Sequence, residues 1–292
     1  MPVPTGFAGT FEGLGQRISN LTLRKSVRCK VGKHQRPDCE GFFAYIQSAG
    51  KARDVIFLRA RVFSSSETAD VEILAGFSAG AISGATVQGT VEGSGSNIGG
   101  LVGVSGGRVS NSNAAVDVTY GGPGGSVGGL AGILMYAIQS HASGNVTGDG
   151  AAYVGGFVGY GAYLYYCGAT GSVTGNTKLG GFAGLAIEEV QQSFATGSVT
   201  GTGDYAVAGG FVGEGWGLFN SYATGNVTTS GPDSFVGGFA GIAGNIGGYL
   251  AGTYSSGAVA GGQGSAGGYL GKFSQFHKYS KFLADYWDLE SK

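Results

Sequence analysis

Residues Val154–Gly175 read VGGFVGYGAYLYYCGATGSVTG, and two short patterns within this stretch recur along the chain. The first is a hexapeptide of the form apolar, Gly, Gly, apolar, apolar, Gly. The intervals between the starting positions of successive copies are 29, 27, 25, 29, 28 and 30. A period this steady indicates stacked supersecondary units and not independent domains. The copies begin at Ile98, Val127, Val154, Leu179, Ala208, Val236 and Ala266, and degenerate copies begin at Glu40 and Leu74.

The second pattern starts roughly half a period after the hexapeptide, at Ser140, Cys167, Ser193, Ser221 and Thr253. Its residues alternate between small or apolar types and aromatic, Thr, Ser or Asn types. Alternation with a period of two places the first set on one face of a strand and the second set on the other. The pattern therefore predicts a strand with a buried face and a solvent face.

The composition allows a packed core but no ordinary one. The chain has 292 residues, of which 62 are Gly and only 5 are Pro; hydrophobic residues make up 42% and charged residues 12%. Collagen requires Gly at every third position with abundant Pro, and disorder requires low hydrophobicity with high net charge, whereas the formal charge is −1. Both classes are excluded.

Together these patterns predict an all-β fold, a parallel β-helix (β-solenoid) with coils of about 28 residues, capped at both ends. Each coil contains three short strands that pair with their equivalents above and below. A bend at the Gly pair would direct both Phe157 and Val158 into the interior. The equivalent aromatic residues would then stack from coil to coil: Phe157, Phe182, Phe211, Phe239 and Tyr269.

Charge and aromatic content divide the chain into three segments. Residues 1–61 carry 11 Lys/Arg and 4 Asp/Glu, a charge of +7, and the remainder carries 6 and 14, a charge of −8. We predict an N-terminal capping segment with a first irregular coil at 1–61, solenoid repeats at 62–271 and an aromatic cap at 272–292. Phe273, Phe276, Tyr279 and Phe282 recur every three residues in that cap, a spacing compatible with a short amphipathic helix, and Tyr286 and Trp287 would pack on the last coil.

The paired GGLVG/GGFVG and ATGxVTG motifs resemble the GLUG repeat of bacterial haemagglutinin-like adhesins and two-partner-secretion exoproteins. FAGTFEGLGQRISNLTL from Phe7 is similar to the segment that commonly precedes such arrays, and YWDLE from Tyr286 is similar to their usual end. The basic stretch from Leu23 to Cys39 departs from the family pattern. The resemblance implies a right-handed β-helix, an extracellular or cell-surface location and a role in adhesion, with no catalytic residues and no cofactor.

Neither a membrane span nor a nucleic-acid site is expected. The uncharged stretch 151–177 is interrupted throughout by Gly, Ser, Thr and Asn, so its apolar residues belong to a solenoid interior. No nucleic-acid motif accompanies the basic N-terminal segment. No secretory signal peptide opens the sequence. As the resemblance to adhesins implies, the expected partners are a surface glycan or a protein receptor, with flanking domains if the chain is part of a longer exoprotein.

Candidate catalytic and metal-binding residues are few. His34, His141 and His277 are scattered and show no zinc-ligand spacing, and Cys167 occupies the inward position that is Ser in other repeats. Cys29 and Cys39 could close a disulfide loop in an oxidising compartment. Gly pairs follow Asp149, Asp204 and Asp233, a position that favours turn formation over a Ca²⁺ ridge. The adjacent Glu188 and Glu189 would point to opposite sides of a strand, which disfavours a catalytic pair.

The solvent face of the second pattern is the candidate binding surface. Aromatic rings beside hydroxyl groups suit stacking on sugar rings, although ladders of like side chains also stabilise parallel stacks without any ligand. Two other functions are open. One is a polysaccharide-active solenoid enzyme, which needs two carboxylates about 5 to 10 Å apart in a groove. The other is an ice-binding protein, which presents regular rows of Thr on a flat sheet. The candidate residues are Phe194, Thr196, Ser198, Thr200, Tyr222, Thr224, Asn226, Thr228 and Tyr254.

Overall fold

The computed structural model describes Val3 and residues 6–24, 27–31, 34–244, 249–261, 264–273, 281–283 and 286–287; at 27–31, 34–37, 281–283 and 286–287 it describes the backbone alone. Throughout this part of the chain the regular structure is β-strand, and no helix occurs. The strands form three sheets that coil around one core as a parallel β-solenoid of about eight turns, and each coil has the length of one sequence repeat. The predicted fold class is confirmed.

Each coil passes through the three sheets in the same order. After Tyr153–Gly155 in sheet 3, the chain forms Val158–Tyr165 in sheet 1 and then Gly168–Ala169 and Val173–Gly175 in sheet 2, before it returns to sheet 3. In the repeats each strand pairs in parallel with its equivalent one coil away, as Val154 does with Leu179. Residues that are equivalent in the sequence repeat therefore form straight files along the solenoid.

The strands of sheet 1 are Thr10–Glu12, Phe43–Ile46, Lys51–Arg53, Ala75–Ser78, Ala81–Ser83, Val102–Ser110, Ala131–Ile138, Val158–Tyr165, Ala183–Ala186, Val190–Gln191, Val212–Gly215, Leu218–Phe219, Ala240–Ala243, Tyr249–Ala251, Leu270–Phe273 and Lys281–Leu283. The strands of sheet 2 are Arg17–Ser19, Thr22–Leu23, Ile56–Ser64, Thr86–Gly93, Asn113–Tyr120, His141–Ala142, Val146–Gly148, Gly168–Ala169, Val173–Gly175, Phe194–Ala195, Val199–Gly201, Tyr222–Ala223, Val227–Thr229, Tyr254–Ser255, Val259–Ala260 and Tyr286–Trp287. The strands of sheet 3 are Val27–Val31, His34–Glu40, Asp70–Val71, Asn97–Gly99, Ser126–Gly128, Tyr153–Gly155, Lys178–Gly180, Val207–Gly209, Phe235–Gly237 and Ser265–Gly267.

The Gly pair makes the bend between sheet 3 and sheet 1. A Cβ on Gly155 would stand 2.0 Å from the Val158 carbonyl oxygen, and one on Gly156 would stand 2.2 Å from the carbonyl oxygen of Gly181 in the next coil. Neither position can hold a side chain, because the backbone itself fills the space. The bend turns both Phe157 and Val158 into the core, as expected.

The predicted aromatic file lies inside the solenoid. Phe157, Phe182, Phe211 and Phe239 are fully buried, and successive rings are stacked at centroid distances of 4.8 to 5.0 Å with interplanar angles of 5 to 10°. Tyr269 extends the file at 5.4 Å from Phe239. This file joins the coils through direct ring contact in addition to their backbone hydrogen bonds.

A sharp corner between sheet 1 and sheet 2 recurs from coil to coil and was not predicted. It contains a non-glycine residue with positive φ, at 47 to 57°, and the next residue is a buried Ser or Cys. The Oγ of Ser193 donates to the Gln191 carbonyl (3.0 Å) and accepts the Cys167 N–H (3.1 Å), so each buried hydroxyl joins two coils. The positive-φ residues are Asn111, Gln139, Tyr166, Gln192 and Asn220.

The N-terminal end of the solenoid differs from the repeats, and part of this difference was expected. Phe7 and Phe11 pack on Phe43 with ring centroids 4.8 and 5.4 Å away, and these rings cover the first end of the core. The basic stretch after Leu23 forms an antiparallel hairpin, Val27–Val31 with His34–Glu40, the one antiparallel pair among the described strands. The predicted division at residue 61 falls inside the strand Ile56–Ser64.

At the other end a helical cap was compatible with the spacing of the aromatic residues, and the structure places strands in the part that it describes. Lys281–Leu283 pairs in parallel with Tyr249–Ala251, and Tyr286–Trp287 pairs with Tyr254–Ser255. As strands, these two segments hydrogen-bond to the open edge of the last coil. An amphipathic helix at this end would leave that edge unpaired. Phe276 and Tyr279 lie outside the described residues.

We predict that Phe211→Ala lowers the free energy of unfolding by about 3–5 kcal/mol, because it removes a buried ring that contacts two neighbouring rings. Guanidinium unfolding followed by circular dichroism measures the change. The exposed Thr200→Ala variant is the control and should differ from the wild type by about 0.5 kcal/mol or less. Equal effects of the two substitutions would contradict a stacked interior file.

Candidate binding face of sheet 2

The outer face of sheet 2 carries the candidate residues in register. Alternate residues of its strands point to solvent, and those between them are buried, as predicted. Phe194 pairs with Tyr222, and Tyr222 with Tyr254, so the three aromatic residues form one file. Their rings are stacked, with centroids 5.6 and 5.1 Å apart and interplanar angles of 14 and 8°. The file is a continuous ladder in which neighbouring rings cover the faces of Tyr222; Phe194 and Tyr222 are half-buried, and Tyr254 is exposed.

His141 belongs to the same file, because it occupies the position of Phe194 in its own repeat. It pairs with Gly168, and Gly168 pairs with Phe194. A Cβ on Gly168 would stand 2.4 Å from Phe194 Cζ and 2.8 Å from His141 Nδ1. The absence of a side chain therefore lets the two rings approach to 5.9 Å across the intervening coil. This contact between His141 and Phe194 was not predicted from the sequence, although a Gly in an aromatic file was a signal for it.

A threonine file runs along the opposite margin of the face. Thr147 pairs with Thr119 and Thr174, and Thr200 pairs with Thr174 and Thr228, so five successive coils present Thr at one position. Thr196 and Thr224 lie on the exposed side between this file and the aromatic file. Adjacent parallel strands are about 4.8 Å apart, so the hydroxyl and methyl groups repeat at that interval.

The polar file between the aromatic and threonine files has a structural role of its own. Asn145 Oδ1 accepts from the Ser172 N–H (3.0 Å) and from Ser172 Oγ (2.7 Å). Asn226 Oδ1 likewise accepts from the Ala258 N–H at 3.0 Å. Asn226 was predicted to contact a ligand, and the structure shows that one of its two polar atoms already connects neighbouring coils.

The face carries little charge. No Asp, Glu, Lys or Arg occurs in its strands from Gly168 to Ala260. Ser198, Thr200, Thr224 and Thr228 are exposed, and Tyr254 is 41% exposed. Such a surface can contact a partner through ring edges and hydroxyl hydrogen bonds, with little electrostatic attraction.

The strongest electrostatic perturbation lies elsewhere, in a cluster of buried carboxylates near the first end. Glu72 is fully buried in a slot beside Gly41 and Gly103, where added Cβ atoms would stand 2.6 and 2.4 Å from its oxygens. Desolvation raises the pKa of Glu72 well above its usual value, and the charges of Asp70 and Glu40 raise it further; the nearby Gly103 N–H offsets this only in part. All three carboxylates are buried, so a polysaccharide cannot reach this cluster.

The remaining candidate residues are dispersed. Among the described side chains no three His, Cys, Asp or Glu lie together as metal ligands, and in the same part of the chain no helix is long and apolar enough to span a membrane. Asp204 and Asp233 lie in adjacent loops, where the Asp233 N–H donates to the Asp204 carbonyl (3.1 Å). Glu188 and Glu189 lie in a bend, not on a strand as expected.

The two cysteines whose side chains the structure describes lie in different environments. Burial raises the pKa of Cys167 to about 12, and its Sγ donates to the Tyr165 carbonyl, as a Ser at this position would. Cys39 is buried and disulfide-bonded. The side chain of Cys29, like those of His34 and His277, lies outside the described residues, so the pairing of Cys29 with Cys39 stays a prediction.

No family model, curated protein or solved structure matches the chain. The resemblance to the GLUG repeat therefore depends on the motifs in the sequence. What the structure adds is the register of those motifs, since each copy stacks directly on the next.

We predict that Glu72→Gln raises the free energy of unfolding at pH 7 by on the order of 1–3 kcal/mol, because the amide carries no charge to desolvate. In the unfolded chain the pKa of Glu is near 4.3. The folded-state pKa is higher, so unfolding releases a proton above about pH 4, and wild-type stability falls as the pH rises through the folded-state pKa. The variant should lack this fall.

Urea unfolding between pH 4 and pH 8 measures both effects. The exposed Glu92→Gln is the matched control and should behave as the wild type. Equal pH dependence in Glu72→Gln and the wild type would contradict a raised pKa for the buried Glu72.

Proposed function

We propose that the chain is a non-catalytic segment of an extracellular adhesin or stalk, and that the outer face of sheet 2 contacts a surface glycan or a protein receptor. One observation carries the proposal. The rings of Phe194, Tyr222 and Tyr254 are stacked in register beside files of exposed hydroxyl groups. A ladder of like rings also stabilises a spacer without any ligand, so a binding assay separates the two roles.

The chemistry of this face suits a polymeric ligand. The ring edges that the stack leaves open pack against the C–H groups of sugars or against apolar side chains, and neighbouring Thr and Ser hydroxyls donate and accept hydrogen bonds. The same groups recur in successive coils, so a long glycan can contact several coils at once. Weak contacts then add through effective concentration.

An extracellular location is supported by the disulfide at Cys39, because disulfides persist in oxidising compartments and are rare in the cytosol. The sequence resemblance to exported repeat proteins favours the same location. Flanking domains of a longer exoprotein would place the solenoid at a distance from the cell surface.

Ice binding is the second candidate, and the threonine file favours it. Five coils present Thr at one position, from Thr119 to Thr228, on a face with few charges. Thr196 and Thr224 add further hydroxyl and methyl groups beside that file. A regular array of this kind can order water as well as contact a sugar.

A glycan array is the direct test of the adhesin proposal. We expect the wild type to bind a restricted set of glycans and Tyr222→Ala to lose at least about tenfold in affinity, since the variant lacks the ring edge that contacts the glycan and leaves a gap in the middle of the ring file. Tyr163→Ala, which removes an exposed ring from sheet 1, should bind normally. Unchanged binding by Tyr222→Ala would count against this face, and silence across all glycans would leave only a protein receptor or a spacer role.

A thermal-hysteresis assay separates the second candidate from the first. If ice is the ligand, the wild type lowers the freezing point below the melting point and Thr224→Tyr, which interrupts the flat face, abolishes most of the gap. The absence of hysteresis in the wild type would remove ice binding from consideration.

A further inference from the structure

The loops that join sheet 2 to sheet 3 differ in length, and one of them is unusually short. Only residues 176–177 separate Val173–Gly175 from Lys178–Gly180. The equivalent loop of the preceding coil spans residues 149–152, and that of the following coil spans 202–206. This short loop accounts for the shortest interval in the repeat, the one from Val154 to Leu179. A notch opens where the short loop lies between two longer ones.

The notch is a cleft of about 660 Å³ on the outside of sheet 3. This volume lies in the usual range for small-molecule sites, about 300–1,000 Å³. The short loop provides Asn176 and Thr177, and Tyr153 and Tyr205 belong to the coils on either side. The residues that line it are Ala152, Tyr153, Asn176, Thr177, Lys178, Gly203, Asp204, Tyr205 and Val207.

Tyr205 is the unexplained group in this cleft. Its side chain is 74% exposed, although its neighbours Ala206 and Val207 are buried in the same coil. No ring contact or hydrogen bond involves the Tyr205 side chain within the described residues. Tyr153 differs, because it is half-buried and its ring contacts Tyr160 (6.0 Å) and Lys178 Nζ (5.5 Å). Tyr205 thus places a largely exposed aromatic ring at the rim of the cleft.

Some polar groups of the cleft form hydrogen bonds or ion pairs within the protein, and others are available to a ligand. Asn176 Oδ1 accepts the Gly150 N–H at 3.1 Å, which fixes the amide and leaves its Nδ2 to donate. The cation of Lys178 is neutralised by Glu214, whose Oε2 is 2.6 Å from Nζ. Asp204 is exposed and presents a carboxylate, an acceptor for two or more hydroxyl donors. The uncompensated charge in the lining is therefore negative, which disfavours an anionic ligand.

We propose that this cleft binds a neutral pyranose residue of a glycan. The C–H face of the sugar packs on the ring of Tyr205, two of its hydroxyls donate to the Asp204 carboxylate, and a third accepts from Asn176 Nδ2. An aromatic platform with one acceptor and one donor matches the amphipathic faces and edges of a sugar ring. The cleft lies on sheet 3 and is separate from the sheet 2 face, so it gives the solenoid a second carbohydrate site whether or not that face binds a glycan.

The test uses saturation-transfer difference NMR and affinity titration with methyl glucopyranoside, galactopyranoside and mannopyranoside, and with the β-linked tetrasaccharides of glucose and mannose. We expect saturation transfer from the wild type to at least one probe, a loss of tenfold or more in Tyr205→Ala, and retention within about threefold in Tyr205→Phe. Asp204→Asn should weaken binding while preserving the fold. Tyr163→Ala is the matched exposed-tyrosine control and should retain binding to this cleft, and Tyr222→Ala reports on the sheet 2 face.

Several outcomes would overturn the proposal. These are no transfer to any probe, equal affinity in Tyr205→Ala and the wild type, or tighter binding of galacturonate than of galactose. Loss of binding in Tyr222→Ala but not in Tyr205→Ala would assign the sugar to sheet 2 and reject the cleft. Loss in Tyr205→Ala alone supports the cleft even if the sheet 2 face binds nothing.

Discussion

Successive coils come so close at each Gly pair that the backbone of one occupies the place of a side chain in the next. The Cβ that Gly156 lacks would lie 2.2 Å from the Gly181 oxygen, and Gly181 stands in the same relation to Gly210. Glycine costs conformational entropy, and here the cost is offset because the close approach aligns coils and turns two apolar residues per bend inward. This alignment is required by the stacked phenyl rings, by the buried Ser residues that hydrogen-bond between coils, and by the exposed files of sheet 2.

Sequence patterns predicted the architecture because each repeat unit is equivalent to its neighbours. The period, the bend at the Gly pair and the stacking of Phe182 on Phe211 followed from seven copies of one motif. The corner with positive φ could not be predicted, since Asn, Gln and Tyr share no local signal for it and tertiary stacking imposes the conformation. At the C-terminal end, aromatic spacing alone did not distinguish a helix from strands that extend the sheets.

The candidate face was predicted correctly in its register and less well in its chemistry. Alternation along the strand was sufficient to place Thr200 beside Thr228. Hydrogen bonds across coils are not visible in a repeat, so the use of Asn226 Oδ1 to accept the Ala258 N–H was missed. The cleft at Tyr205 was missed for another reason, because the shortened interval after Val154 looked like ordinary variation in the period and not like a gap in the wall. Departures from a repeat carry information that the repeat itself does not.

The hairpin at residues 27–40 has a consequence for assembly. Its outer strand, Val27–Val31, runs against the direction of every other described strand of sheet 3 and forms the margin of that sheet. A second molecule joining this end coil-on-coil would meet a reversed strand on one side, while the other two sides require parallel partners. The mismatch disfavours coil-on-coil addition of a second molecule at this end.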